Sequence, residues 1–175
     1  MSGHNKWSKI KNQKAVTDGQ KSKLFTKAVR LLTVEAKKAH GDMNAPGLIT
    51  AIKKAREVNM PNDNIERAVK KASSEPANMD TIIYEAYGPG GCAMVIEALT
   101  DNRNKAAQEV KHVLSLHGTE LAGIGAATWA FEKTHEGYKP NSMIALGDED
   151  GAKLGELIEA LEENDEVQNV YTNAE

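Results

Sequence analysis

Lys6, Lys9, Lys11 and Lys14 stand close together near the start of the sequence with Trp7 among them, and Lys23, Lys27 and Arg30 follow at i, i+4 and i+7. The chemistry these residue types can do is neutralisation of a phosphate-bearing polymer. That needs several cations able to reach one surface, and four lysines so closely spaced do so in most backbone geometries. On a helix, Lys23, Lys27 and Arg30 form one stripe beside the apolar one. Trp7 offers a flat ring among cations, suited to stacking on an unpaired base; packing against neighbouring helices is its other reading.

The charge of the chain is divided to match. Residues 1–71 hold 16 Lys and Arg against 6 Asp and Glu, a net of +10, while residues 72–175 hold 6 against 19, a net of −13. The overall −3 conceals this. A cationic surface for a polyanion joined to an acidic spacer or partner-binding domain has this signature; two solvated faces are the plainer alternative.

Other chemistry finds little support. GPGG (88–91) lacks the Lys-Ser/Thr of a phosphate loop and joins two strand-like runs, so it reads as a turn. His4, His40, His112, His117 and His135 show neither HExxH nor a Cys/His ligand spacing. Cys92 is the sole cysteine, so no disulfide framework exists, and no neighbouring base in sequence would activate it. No G-x-S-x-G elbow occurs, and the carboxylates of EALEENDE suit a hydrated helix face. The reading is therefore non-enzymatic, with no catalytic residue, metal or cofactor. No apolar run reaches membrane-spanning length and no apolar stretch follows the first charges as in a secretory signal, so a cytoplasmic protein is expected.

The elements that must position these residues fall into two sets. Residues 1–20 lack apolar periodicity and read as a basic arm that becomes ordered when bound. In KLFTKAVRLLTVEAKKAHG, Leu24, Ala28, Leu31, Leu32, Ala36 and Ala39 recur at helical spacing, with Gly41 as C-cap. A second helix over 46–58 groups Leu48, Ile49, Ile52 and Ala55, and a third opens at Asp63 with Glu66 as a capping box, then Ile65, Ala68 and Val69. After a polar linker at 73–79 the pattern changes. IIYEAY and CAMVIEALT flank GPGG as a hairpin. A helix spans 102–117, strands are expected at 127–133 and 142–146, a helix at 151–164, and a last strand in EVQNVYT. The expected class is α+β: a basic arm and three-helix domain (1–72), then a ferredoxin-like βαββαβ domain (80–175) with an added hairpin strand.

The blocks GHNKWSKIKNQKAVTDGQKSKLFTK, NMPNDNIERAVKKA, YEAYGPGG, LTDNRNKAAQEVKHVL and VQNVYTN, spread over nearly the whole chain, resemble the YebC/PmpR family. Its eukaryotic relatives include the mitochondrial translational activator of cytochrome oxidase subunit one. The resemblance implies a nucleic-acid-binding regulator, described either as a DNA-binding transcriptional regulator or as a factor acting at the ribosome on difficult stretches such as consecutive prolines. It adds a second candidate contact at Asn59, Met60, Pro61 and Asn64, with Arg67 behind it; helix-start geometry explains that loop equally well. Asp101, Asn102 and Arg103 match another family block, in which either of the first two could cap a helix. Two departures stand out. Family members carry a further α/β module between FEK and KPNSMIALGDEDG, where this chain has only THEGY, and PGLITAIKKA has Gly47, Ile49 and Thr50 where relatives tend to carry arginines. Expected partners are ribosomal RNA and the ribosome or, alternatively, DNA, with no membrane. A basic protein could dock on the acidic half, and a protein- or ligand-interaction module is the remaining alternative.

Overall fold

A computed structural model of the chain describes residues 18–74 and 79–175. It divides into two compact units, a helical one ending at Asp80 and a mixed one over Thr81–Glu175. Lys6, Trp7, Lys9, Lys11 and Lys14 lie outside the described residues.

The helical unit comprises α1 (Asp18–Lys38), α2 (Pro46–Glu57) and α3 (Asn62–Ser74). α1 begins earlier than its apolar stripe suggests, so Asp18, Gly19 and Gln20 are helix and not part of an arm. Asp18 supplies the negative charge favoured in a first turn, and its carboxylate lies 3.6 Å from Lys21 Nζ. The helix stops where His40 and Gly41 turn to φ 48° and 85°. Leu32 and Ala36 of α1, Leu48, Ala51 and Ala55 of α2, and Ile65, Val69 and Ala72 of α3 share one core. Leu32 and Leu48 are fully buried, each adding about 1.5–3 kcal/mol by removal from water. On α2 the buried row is Leu48, Ala51 and Ala55, so Ile49, expected inside, faces outward at 52% exposure. Small alanines let the helices approach closely, which turns the bulkier isoleucine away.

In the mixed unit, β1 (Asp80–Tyr87) and β2 (Ala93–Thr100) form the expected hairpin. The GPGG turn contains a short 3₁₀ segment with Gly90 and Gly91 at φ 68° and 77°. Then come α4 (Arg103–Leu116), β3 (Leu121–Ala122), a 3₁₀ turn (Thr128–Ala130), β4 (Phe131–Thr134), β5 (Gly137–Pro140), α5 (Asp148–Glu163) and β6 (Val167–Thr172). The sheet order is β3-β1-β2-β6. β1–β3 and β2–β6 are antiparallel, with Val95 opposite Tyr171 and Glu85 opposite Ala122. Met94 and Ile96 of the sheet pack with Val110 and Leu114 of α4 and Leu154, Leu157 and Leu161 of α5. A second cluster holds Ala93 and Val95 with Ala127, Ala130 and Phe131.

The α+β class stands, but the middle strands of the expected βαββαβ order take other places. A ferredoxin-like sheet seats its third strand beside the first; here β1 of the hairpin already occupies that flank of β2. The segment 142–146 is therefore no strand and keeps one parallel bridge, Ile144 to Ala174. Residues 127–133 split into the 3₁₀ turn and β4, which pairs with β5 in a separate two-stranded ribbon. α5 starts at Asp148, three residues ahead of the expected start, with Asp148, Glu149 and Asp150 in its first turn.

Candidate nucleic-acid interface

Of the expected cationic stripe on α1, Lys23 and Arg30 are half-buried and Lys27 retains only 8% of its surface. The stripe thus runs through the buried side of the helix, not beside it. Lys27 sits next to Ala28, one of the core residues, and a long aliphatic stem can be covered there while its ammonium finds polar company. Lys23 and Arg30 also have interaction partners.

The α2–α3 corner is explained by its own geometry. Asn59 adopts the left-handed conformation at φ 58°. Its N–H donates to the Arg56 carbonyl at 2.9 Å, and the Met60 N–H donates to the Ala55 carbonyl at 3.0 Å. These are the paired bonds of a Schellman motif, which needs a residue tolerant of positive φ and an apolar residue after it. Met60 is that residue, 4% exposed in the helical core, so it is a packing anchor and not a surface contact. Pro61 ends one helix and precedes the next, its carbonyl accepting from Asn64 N and Ile65 N at 2.9 and 3.1 Å. α3 therefore starts at Asn62, which places Asp63 inside the first turn instead of at the cap. Asn59, Pro61 and Arg67 face outward and Asn64 is half-buried. The corner thus brings Asn59, Pro61 and Asn64 together, and Arg67 lies one helical turn beyond Asn64.

Sequence reasoning missed the outer face of α2. Ile49, Ile52, Lys53, Arg56 and Glu57 line an open groove of about 550 Å³, with Lys53 and Arg56 exposed. Lys70 of α3 is exposed as well. The signal was present: 49, 53 and 56 recur at i, i+4 and i+7, opposite the row of Leu48, Ala51 and Ala55. Gly47, one of the departures from the family pattern, abuts Glu35; a Cβ added there would collide with the Glu35 carboxylate, which also holds Lys38 at 2.8 Å.

In the mixed unit the polar groups serve structure. Asn102 caps α4, its side chain accepting from Lys105 N at 3.0 Å, and settles the family block around Arg103 as a helix start. Cys92 is buried, and burial pushes its thiol up, away from the reactive thiolate. Glu85, 6% exposed, accepts from the backbone N–H groups of Gly125, Ala127 and Thr128 at 2.7, 2.7 and 2.8 Å. Burial alone would raise this carboxyl, but the backbone N–H bonds and Thr128 outweigh it and hold the group below its ordinary value. Tyr171 is pushed well up, first by burial and then by Glu97, which also accepts from Asn169 Nδ2 at 2.8 Å. No group of three or more His, Cys, Asp or Glu among the described residues is placed to hold a metal ion. No described helix is long and apolar enough to cross a membrane.

Comparison with known proteins agrees with this division. Residues 5–75 match the family model described as the TACO1/YebC protein N-terminal domain. The model of the second and third domains matches in two pieces, 79–136 and 132–174, which meet at the β4–β5 ribbon. A probable transcriptional regulatory protein of Pseudothermotoga lettingae is 38% identical, covering 100% of this chain and 94% of its own length. That alignment runs over 238 positions, so the relative carries at least 63 positions that this chain lacks. A protein of the same description from Petrotoga mobilis is 41% identical over 186 residues, covering 100% of this chain and 71% of its own. The crystal structure of the conserved hypothetical protein Aq1575 from Aquifex aeolicus superposes with a TM-score of 0.84 at 31% identity, covering 98% of this chain and 97% of that one. Matched from its helical unit to its last strand, the chain belongs to the TACO1/YebC family, whose relatives are named as regulators of gene expression.

Proposed function

We propose that the chain is a non-enzymatic, cytoplasmic regulator of gene expression that binds structured RNA, that of the ribosome, through its cationic front. The observation that carries this reading is the division of charge, +10 over residues 1–71 against −13 over the remainder. The surface comprises Lys6, Trp7, Lys9, Lys11, Lys14, Lys23 and Arg30, extended by Lys53, Arg56 and Arg67 on the exposed sides of α2 and α3. Lys27 and Met60 leave this set because they are buried. A lysine-rich surface engages phosphates and shape, which is how folded RNA is bound. The exposed helical faces carry few Asn, Gln or Arg in a regular row, and reading bases in a DNA major groove needs such a row. DNA-binding transcriptional control is the second reading, supported by the names of the relatives.

The test is crosslinking in cells followed by sequencing of the bound nucleic acid, with a Lys6, Lys9, Lys11 and Lys14 to Ala variant as control. Enrichment of ribosomal RNA that the variant loses is the expected result. Promoter DNA in its place would favour the second reading, and recovery indifferent to the lysines would overturn both.

A further inference from the structure

The mixed unit displays an apolar surface that the helical reading leaves unused. Ile124 is fully exposed between Gly123 and Gly125, and Trp129, five residues on, keeps 60% of its surface in solvent. Large apolar side chains held out in this way mark interaction sites more often than they mark chance, above all when the segment bearing them is rigid. This segment is fixed at several points. The Trp129 indole N–H donates to Tyr87 Oη at 3.1 Å, and that hydroxyl donates to the Ala126 carbonyl. Two residues back on β1, the Glu85 carboxylate takes the N–H groups of Gly125, Ala127 and Thr128. The Thr119 hydroxyl donates to the Tyr87 carbonyl, pinning the entry to the loop. A shallow pocket lined in part by Ile83, Leu121 and Ile124 continues the apolar surface along the sheet edge.

The charge around this surface is one-sided. No Lys or Arg occurs between Lys111 and Lys133, and the acids of that stretch, Glu120 and Glu132, are both exposed. They sit in the half of the chain whose net charge is −13. A phosphate polymer would be repelled where no cation stands beside the ring. A cationic protein segment with apolar anchors would be drawn in. We infer that the Ile124–Trp129 loop, with Tyr87 behind it, is a docking site for a basic, amphipathic segment of a partner protein. Trp129 and Ile124 are its apolar anchors, and Glu120 and Glu132 supply the surrounding negative charge.

The probe is a short peptide of alternating leucine and lysine. The chain has two tryptophans, so a Trp7→Phe background of the full-length protein leaves Trp129 as the sole reporter. The expected result is a blue shift of its emission and protection from acrylamide on adding the peptide, weakening as salt rises. Ile124→Lys, at a fully exposed position, should reduce peptide affinity by about tenfold with an unchanged melting temperature. Glu120→Lys with Glu132→Lys should reduce it at low salt and remove its salt dependence. Equal affinity in these variants would overturn the assignment. So would equal protection by a leucine–glutamate peptide, protection by oligouridylate, which would make Trp129 a base-stacking ring, or concentration-dependent protection without peptide, which would make the face a contact between copies of the chain.

Discussion

Glu85 shows how one carboxylate can hold a loop. Its two oxygens take three backbone N–H groups that would otherwise be buried without partners, and the loop they fix carries both Ile124 and Trp129. Glu85→Gln keeps the shape but replaces one acceptor by a donor facing those N–H groups. The expected loss is about 2 kcal/mol of stability, read from urea unfolding at neutral pH. The sign of the pH dependence follows from the direction of the shift. The native carboxyl is held below its ordinary value of 4.5, so its contribution is complete above that pH and is lost as pH falls through the lower native value. The gap between wild type and Glu85→Gln should therefore close on acidification below 4.5, and a gap constant down to the acid transition would show that the charge plays no part.

Among the elements, the α2–α3 corner places its demand on Asn59. Because φ there is 58°, Asn59→Gly should hold or raise stability by a few tenths of a kcal/mol, while Asn59→Val should lower it by about 1–2 kcal/mol; thermal melts of the two decide it. The same corner illustrates what was legible in the sequence. Helices α1 to α5 were visible because apolar residues repeat at 3.6 and breakers bound them, and the hairpin because GPGG admits little else. The strands after α4 were not. β3 is two residues long, and residues 127–133, apolar enough for a strand, are bent into a 3₁₀ turn by the distant Glu85. Pairing partners are tertiary facts, and 142–146 lost its place in the sheet to β1, a competitor more than 50 residues away. For the candidate interface, the surplus of cations could be counted but their faces could not. Lys27 turned inward while Ile49 turned outward, because the close-packed alanine row on α2, and not hydrophobicity alone, sets the rotation of that helix.

At the scale of the whole molecule, the halves carry opposite charge on an acidic total with a pI near 6.0, so binding to a polyanion must be local to the front. If about six phosphates are contacted, affinity should fall roughly a thousandfold between about 50 and 200 mM salt, a slope read by titrating an RNA at several ionic strengths. Replacing Lys53, Arg56 and Arg67 by Ala should lower that slope by about one for each phosphate no longer neutralised, whereas a slope unchanged by all three would remove α2 and α3 from the interface. One feature of the mixed unit bears on how such chains can be rebuilt. The β4–β5 ribbon is hydrogen-bonded only to itself, with Thr134 opposite Gly137 at its tip, and the two matched pieces of the family meet there. That tip is a natural splice point. A foreign domain with adjacent ends grafted between His135 and Glu136 should leave the melting temperature of the host unit within a few degrees of its parent, which makes this compact protein a ready chassis for cargo.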